Sequence, residues 1–173
     1  TAFELPSYTE MHHLLDEAAE CGLTYLDTAH DYGTSEERLG KILAEREDRD
    51  RWTLGSKAGE EFVDGDSVID FSGDHIRISV ERSLTRRGVD QLALVLLHSN
   101  GDDAAVLKET DSVAALIELK KSGKVGAIGI STKTVEGGTL AFEMGLDAVM
   151  ATYNPWHEAE KPVLDAAAEA NRA

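Results

Sequence analysis

The stretch LTYLDTAHDYGTSEERLGKILAERED, residues 23–48, divides into three consecutive pieces. LTYLDTA is short and mostly apolar, which predicts a strand. HDYGTS gathers polar residues around Gly33, which predicts a loop. SEERLGKILAERED places Leu39, Ile42 and Leu43 at helical spacing behind Ser35, a residue suited to start a helix. The same order recurs. WTLGSKAG precedes an acidic loop and HIRISVERSLTRRG; LALVLLHS precedes SVAALIELKKSG; VGAIGIST precedes VEGGTLAFEMG; and DAVMATYN precedes EAEKPVLDAAAEANRA. Upstream, YTEMHHLLDEAAECG sets Met11, Leu14, Leu15, Ala18 and Ala19 on one helical face and stops at Gly22. Five strands and six helices are expected.

Strands apolar on both faces and separated by single helices must be parallel neighbours joined by right-handed crossovers, so the fold class is α/β. An open doubly wound sheet and a closed barrel share this local pattern. No strand runs into the G-x-G-x-x-G turn that an open dinucleotide-binding sheet favours, whereas reactive side chains stand repeatedly at strand C-terminal ends, as barrels arrange them. The expected architecture is a (β/α)8 TIM barrel with about five of its eight strands present. The chain opens and closes on helical patterns, so one barrel domain over residues 1–173, lacking the first strand and the last two, is the expected organisation.

Composition narrows the function. Hydrophobic residues make up 42% of the 173, enough for an ordinary globular core, and the formal net charge is −16. Phosphate backbones and anionic lipid surfaces require clustered Lys and Arg, so neither nucleic acid nor a membrane surface is an expected partner. Cys21 is the only cysteine, which excludes an intrachain disulfide or a thiolate metal cluster built from this chain. With no apolar run of membrane-spanning length and no leader pattern, a cytoplasmic setting is expected. Nothing in the sequence sets an oligomeric state.

Four side chains fall at successive strand ends: Asp27, Lys57, His98 and Ser131, with Tyr32 in the loop beyond Asp27. In a parallel barrel such ends converge on one rim. A tyrosine hydroxyl is by itself a weak acid near neutral pH, and a neighbouring ammonium favours its charged form. A carboxylate such as Asp27 holds a lysine charged and fixes its direction, and a histidine can hold a carbonyl oxygen by a hydrogen bond. The set suits protonation of an oxygen while the attached carbon is attacked. No side chain delivers a hydride, so a nicotinamide cofactor is required.

LDTAHDYGTSEERLG, GSKAG, LVLLHS and GIST, taken in that order, resemble the aldo-keto reductase family from about Tyr8 to the C-terminus. The resemblance implies NAD(P)H-dependent reduction of a small aldehyde or ketone. It implies Tyr32 as general acid, Lys57 and Asp27 as the pair that tunes it, His98 as the group orienting the carbonyl, and NADPH, with NADH possible, as cofactor. Ser131 and Thr132 would contact the cofactor. Thr132 stands where the family usually has asparagine, and Met150 where it usually has glutamine. An NADPH-binding regulatory barrel with little turnover is the alternative reading, and an isomerase using Lys57 or His98 as base is a third.

Other features have plain explanations. His12 and His13 are adjacent on a helix and face different ways, so no paired metal site is expected there; the metal set is read as none. His30 is expected to be a solvated loop residue, and His75 and His157 have no assigned role. EEFVDGDSVIDFSGD lacks EF-hand spacing and is expected as a solvated loop beside the rim, shaping the pocket. VEGGT lacks the lysine of a P-loop and suits a tight helix start. Trp52 and Trp156 are expected as packing anchors.

Overall fold

The computed structural model describes residues 5–63 and 66–173. The first helix, α1 (Tyr8–Glu20), begins at a reciprocal cap in which the Ser7 hydroxyl accepts from the Glu10 N–H and the Glu10 carboxylate accepts from the Ser7 N–H. It leads into β1 (Tyr25–Asp27), α2 (Ser35–Ala44), β2 (Thr53–Ala58), β3 (Glu60–Val63), β4 (Asp66–Ile69) and α3 (Gly73–Arg87). Then come β5 (Leu92–His98), α4 (Asp103–Glu109), α5 (Ser112–Lys121), β6 (Val125–Ser131), α6 (Val135–Glu143), β7 (Ala148–Met150) and α7 (Lys161–Ala170).

The strands β1, β2, β5, β6 and β7 form one sheet in that order, and every neighbouring pair is parallel. The fold is α/β, a curled five-stranded parallel sheet of half-barrel form. Period-two alternation sorts the side chains. Leu54, Val95, Leu97, Ile128 and Ile130 join Ile42, Leu43, Ile76, Val80 and Leu116 from the helices in a single buried cluster. The opposite, inner side carries a cleft of about 320 Å³ bordered by Tyr25, Leu94, Leu96, Met150 and, from α7, Leu164. Gly129 on β6 has no room for a side chain, since a Cβ there would lie 2.1 Å from the Ala148 carbonyl oxygen.

The structure corrects several expectations. The acidic stretch is not a plain loop: β3 and β4 pair antiparallel, Glu60 opposite Ile69 and Phe62 opposite Ser67. Helix α4 is a seventh helix, made where Ser99 and Asp103 tie the turn after β5 to the residues ahead of α6. Thr34, not Ser35, precedes the first turn of α2, and its side chain makes no cap bond; the Ser35 hydroxyl instead accepts from Thr28. Beyond α7, Val149 N–H donates to the Ala173 carbonyl, and Ala173 N–H donates to that of Asp147. Trp52 is buried as expected, whereas Trp156 is 93% exposed on a short turn and anchors nothing among the described residues. VEGGT does begin a helix, with the Thr134 hydroxyl accepting from the Gly137 N–H. Among the described residues no helix is long and apolar enough to cross a membrane.

Candidate active site

Parallel registry brings the strand ends together. Tyr25 to Asp27 of β1 run beside Thr53 to Gly55, while Lys57 lies opposite Leu96 and His98 opposite Ser131. The Lys57 side chain is 2% exposed, and its ammonium donates to Asp27 Oδ2 and, over 3.3 Å, to the Thr28 carbonyl. Burying a lysine charge requires such a partner. The same Nζ lies 5.0 Å from the centre of the Tyr32 ring. Tyr32 meets His98 edge to face, ring centres 6.1 Å apart and planes at 90°. Two turns fix the tyrosine backbone: Tyr32 N–H donates to the Ala29 carbonyl and Ser35 N–H to that of Tyr32. Four of the expected groups therefore share one rim.

The Aldo/keto reductase family model matches residues 4–172. The chain belongs to the aldo/keto reductase family. An aldo/keto reductase assignment also attaches to a Pseudomonas aeruginosa structure that is 47% identical, superposes with a TM-score of 0.93 and matches 98% of this chain and 65% of its own. An oxidoreductase of Bacillus subtilis, YqkF, is 36% identical over 69% of this chain and 39% of its own length. The D-threo-aldose 1-dehydrogenase of a Pseudomonas species is 30% identical over 86% of this chain and 52% of its own. The chain spans about half the length of the curated relatives it matches.

Set in this family, the remaining expected residues are placed unequally. Ser131 is the ladder neighbour of His98 on one side and of Met150 on the other. Thr132 is 4% exposed, its N–H donates to the Met150 carbonyl, and its hydroxyl is buried without a hydrogen-bond partner. Buried hydroxyls are rarely left so. Met150, the other ladder neighbour of Ser131, borders the apolar cleft.

Three features of the rim escaped the sequence. Glu60 enters it from β3: Gly59, at φ +104°, turns the chain out of β2, and Glu60 Oε2 comes within 3.1 Å of His98 Nδ1. Burial holds the His98 pKa below the usual imidazole value and Lys57 pushes it the same way, against the opposing pull of Glu60. His30, expected in solvent, is instead 4% exposed. Its Nε2 lies 2.8 Å from the Ser79 carbonyl and its Nδ1 3.1 Å from Arg86 Nη1. A carbonyl only accepts and a guanidinium only donates, so the ring is neutral with its proton on Nε2. Burial likewise lowers the His30 pKa. Beside it Glu36, 1% exposed, accepts from Ser56, Ser83, Arg86 and the fully buried Arg87. This network clamps the Tyr32 loop and α2 against α3. The only sequence signal for it was four polar residues set among the apolar positions of two helices. Third, Asp103 accepts from the N–H groups of Lys133 and Thr134, steadying the turn that follows Ser131 and Thr132.

Proposed function

We propose that the protein reduces an aldehyde or ketone to an alcohol, taking hydride from NAD(P)H, with Tyr32 as general acid. The observation that carries this reading is the buried Lys57 ammonium held between Asp27 and the Tyr32 ring. Asp27 fixes the direction of the ammonium. The ammonium favours the negative charge that develops on the tyrosine oxygen as its proton moves to the carbonyl oxygen, an effect strengthened by the low dielectric around a buried cation. His98, kept neutral by burial, orients the carbonyl by a hydrogen bond. The five-stranded sheet is then part of an eight-stranded (β/α)8 barrel whose C-terminal rim holds the reaction.

The residues present fit a nicotinamide. The buried, unpartnered Thr132 hydroxyl can both donate and accept, as a carboxamide requires, and Ser131 stands beside it. Ser131 and Thr132 would hold that amide; Met150 offers no amide of its own. When bound, the cofactor supplies the hydride. NADPH is the proposed cofactor, NADH the alternative that the same hydroxyls accept. The exposed single thiol of Cys21 suits a reducing, cytoplasmic setting.

Oxidation of NADPH that depends on an added aldehyde or ketone tests the proposal. Saturable nucleotide binding with no turnover of any carbonyl compound would point to a regulatory nucleotide-binding barrel.

A further inference from the structure

Leu26 packs against the buried cluster, so Tyr25 and Asp27, its neighbours on β1, point to the inner side of the sheet. Gly55 is the register partner of Asp27, and Lys57, two residues further along β2, closes on the Asp27 carboxylate from the rim. Tyr25 itself pairs with Thr53, yet its ring leans one step along the ladder toward the rim. A Cβ on Gly55 would lie 1.9 Å from the Tyr25 hydroxyl oxygen and 2.6 Å from Cζ. The hydroxyl thus fills the place of the side chain that Gly55 lacks, level with Asp27 and below Lys57. Leu94, Leu96 and Ala148 of the inner cleft offer it no side-chain acceptor. Burial, then the Asp27 charge and a hydrogen bond to that carboxylate, push the Tyr25 hydroxyl up to about 12, against the pull of Arg87.

We infer that Tyr25 is a positioning residue of the reduction: its hydroxyl donates to the Asp27 carboxylate from the inner side of the sheet while Lys57 donates from the rim. The inference rests on the reductase reading and adds a residue that acts only through Asp27. Donors from two directions fix the carboxylate, and with it the direction of the ammonium beside Tyr32. The hydroxyl also offsets part of the Asp27 charge, so the ammonium acts on the Tyr32 ring less fully cancelled. Gly55 leaves the room for this contact.

Tyr25→Phe keeps the ring and deletes the hydroxyl. With benzaldehyde or D-glyceraldehyde and saturating NADPH, kcat is expected to fall about three- to tenfold while KM stays within about twofold. With less of the Asp27 charge offset, the phenolate is disfavoured, so the basic limb of the kcat profile is expected to move to higher pH by about half a unit. The groups facing Tyr32 are Lys57 from β2 and His98 from β5, with Asp31, Glu60 and Lys133 around His98, and the variant changes none of them. Thermal melts of Tyr25→Phe, Asp27→Asn and the double variant need no turnover. The melting temperature lost on Tyr25→Phe is expected to shrink by at least about half in the Asp27→Asn background. Equal losses in both backgrounds would overturn the inference, since they report ring packing alone. So would a Tyr25→Phe enzyme with unchanged kcat and an unmoved basic limb, and either result leaves the reductase reading standing. A wild type that turns over neither aldehyde with NADPH or NADH would remove the reductase reading and, with it, the role given to Tyr25; the melts would then report only whether its hydroxyl holds Asp27.

Discussion

The Lys57 ammonium lies 5.0 Å from the centre of the Tyr32 ring and donates at the same time to Asp27. Thirty residues separate the lysine from the aspartate, and parallel pairing of β1 with β2 brings them together. A buried cation is thus held between one carboxylate partner and one aromatic neighbour.

Replacing that hydroxyl isolates its contribution. Tyr32→Phe keeps the ring that packs on His98 and Lys57 and removes only the proposed proton donor. The kcat for carbonyl reduction is expected to fall about 10²- to 10⁴-fold, the range for losing a positioned general acid. Nucleotide affinity, read from nicotinamide fluorescence, is expected to stay within about twofold; equal loss of both would show that Tyr32 serves binding rather than proton transfer.

Acid sensitivity should trace to His30. Its pKa is lowered in the folded chain by burial, so the native state resists a proton that the unfolded chain accepts near pH 6.5. Stability then rises with pH, is fully present above about pH 6.5 and is lost as the pH falls below it. The charged groups facing the ring are Glu36 from α2, Arg86 from α3 and Glu61 from β3, and the two carboxylates only partly offset burial. Thermal melts at pH 7.5 and 5.5 should differ, and His30→Gln, which carries no titratable ring, should narrow the gap. His98 is lowered in the same direction, so the gap should not vanish.

Glu36 is the carboxylate on which Arg87 depends. Arg87 is fully buried, and its Nη2 is 3.3 Å from Glu36 Oε1. Glu36→Ala leaves that guanidinium without its charge partner and should cost about 3–5 kcal/mol, the range for breaking a buried pair from one side. Urea unfolding measures it. A loss below about 1 kcal/mol would mean that water or another carboxylate reaches Arg87.

Gly129→Ala tests the closeness of β6 and β7. A Cβ at this position meets the Ala148 carbonyl oxygen at 2.1 Å and Leu96 Cδ2 at 2.8 Å, and the first of these is backbone. Overpacking of this kind costs about 1–3 kcal/mol. A melting temperature equal to that of the wild type would show that β7 moves freely at the sheet edge.

What the sequence alone determined is the part governed by local period and composition. The strands containing Lys57, His98 and Ser131 were legible as apolar runs bounded by turns, and the parallel, helix-covered sheet followed from a helix between each pair of strands. The Asp27, Tyr32, Lys57 and His98 set was legible because each residue sits at or just beyond a strand end, a position that the repeating unit itself defines. Tertiary structure decided the rest. The β3–β4 hairpin was hidden because its acidic residues read as solvated loop, whereas Glu61 is paired with Arg82 and Ser79, and Glu60 faces His98. His30 was misjudged because a polar residue in a loop is usually wet; here α3 folds over it and supplies a carbonyl acceptor and a guanidinium donor from more than forty residues away. Trp156 was misjudged in the opposite sense, an apolar side chain left in solvent. Period tells which face of an element is apolar, but burial of a polar group depends on partners that only the folded chain brings within hydrogen-bond distance.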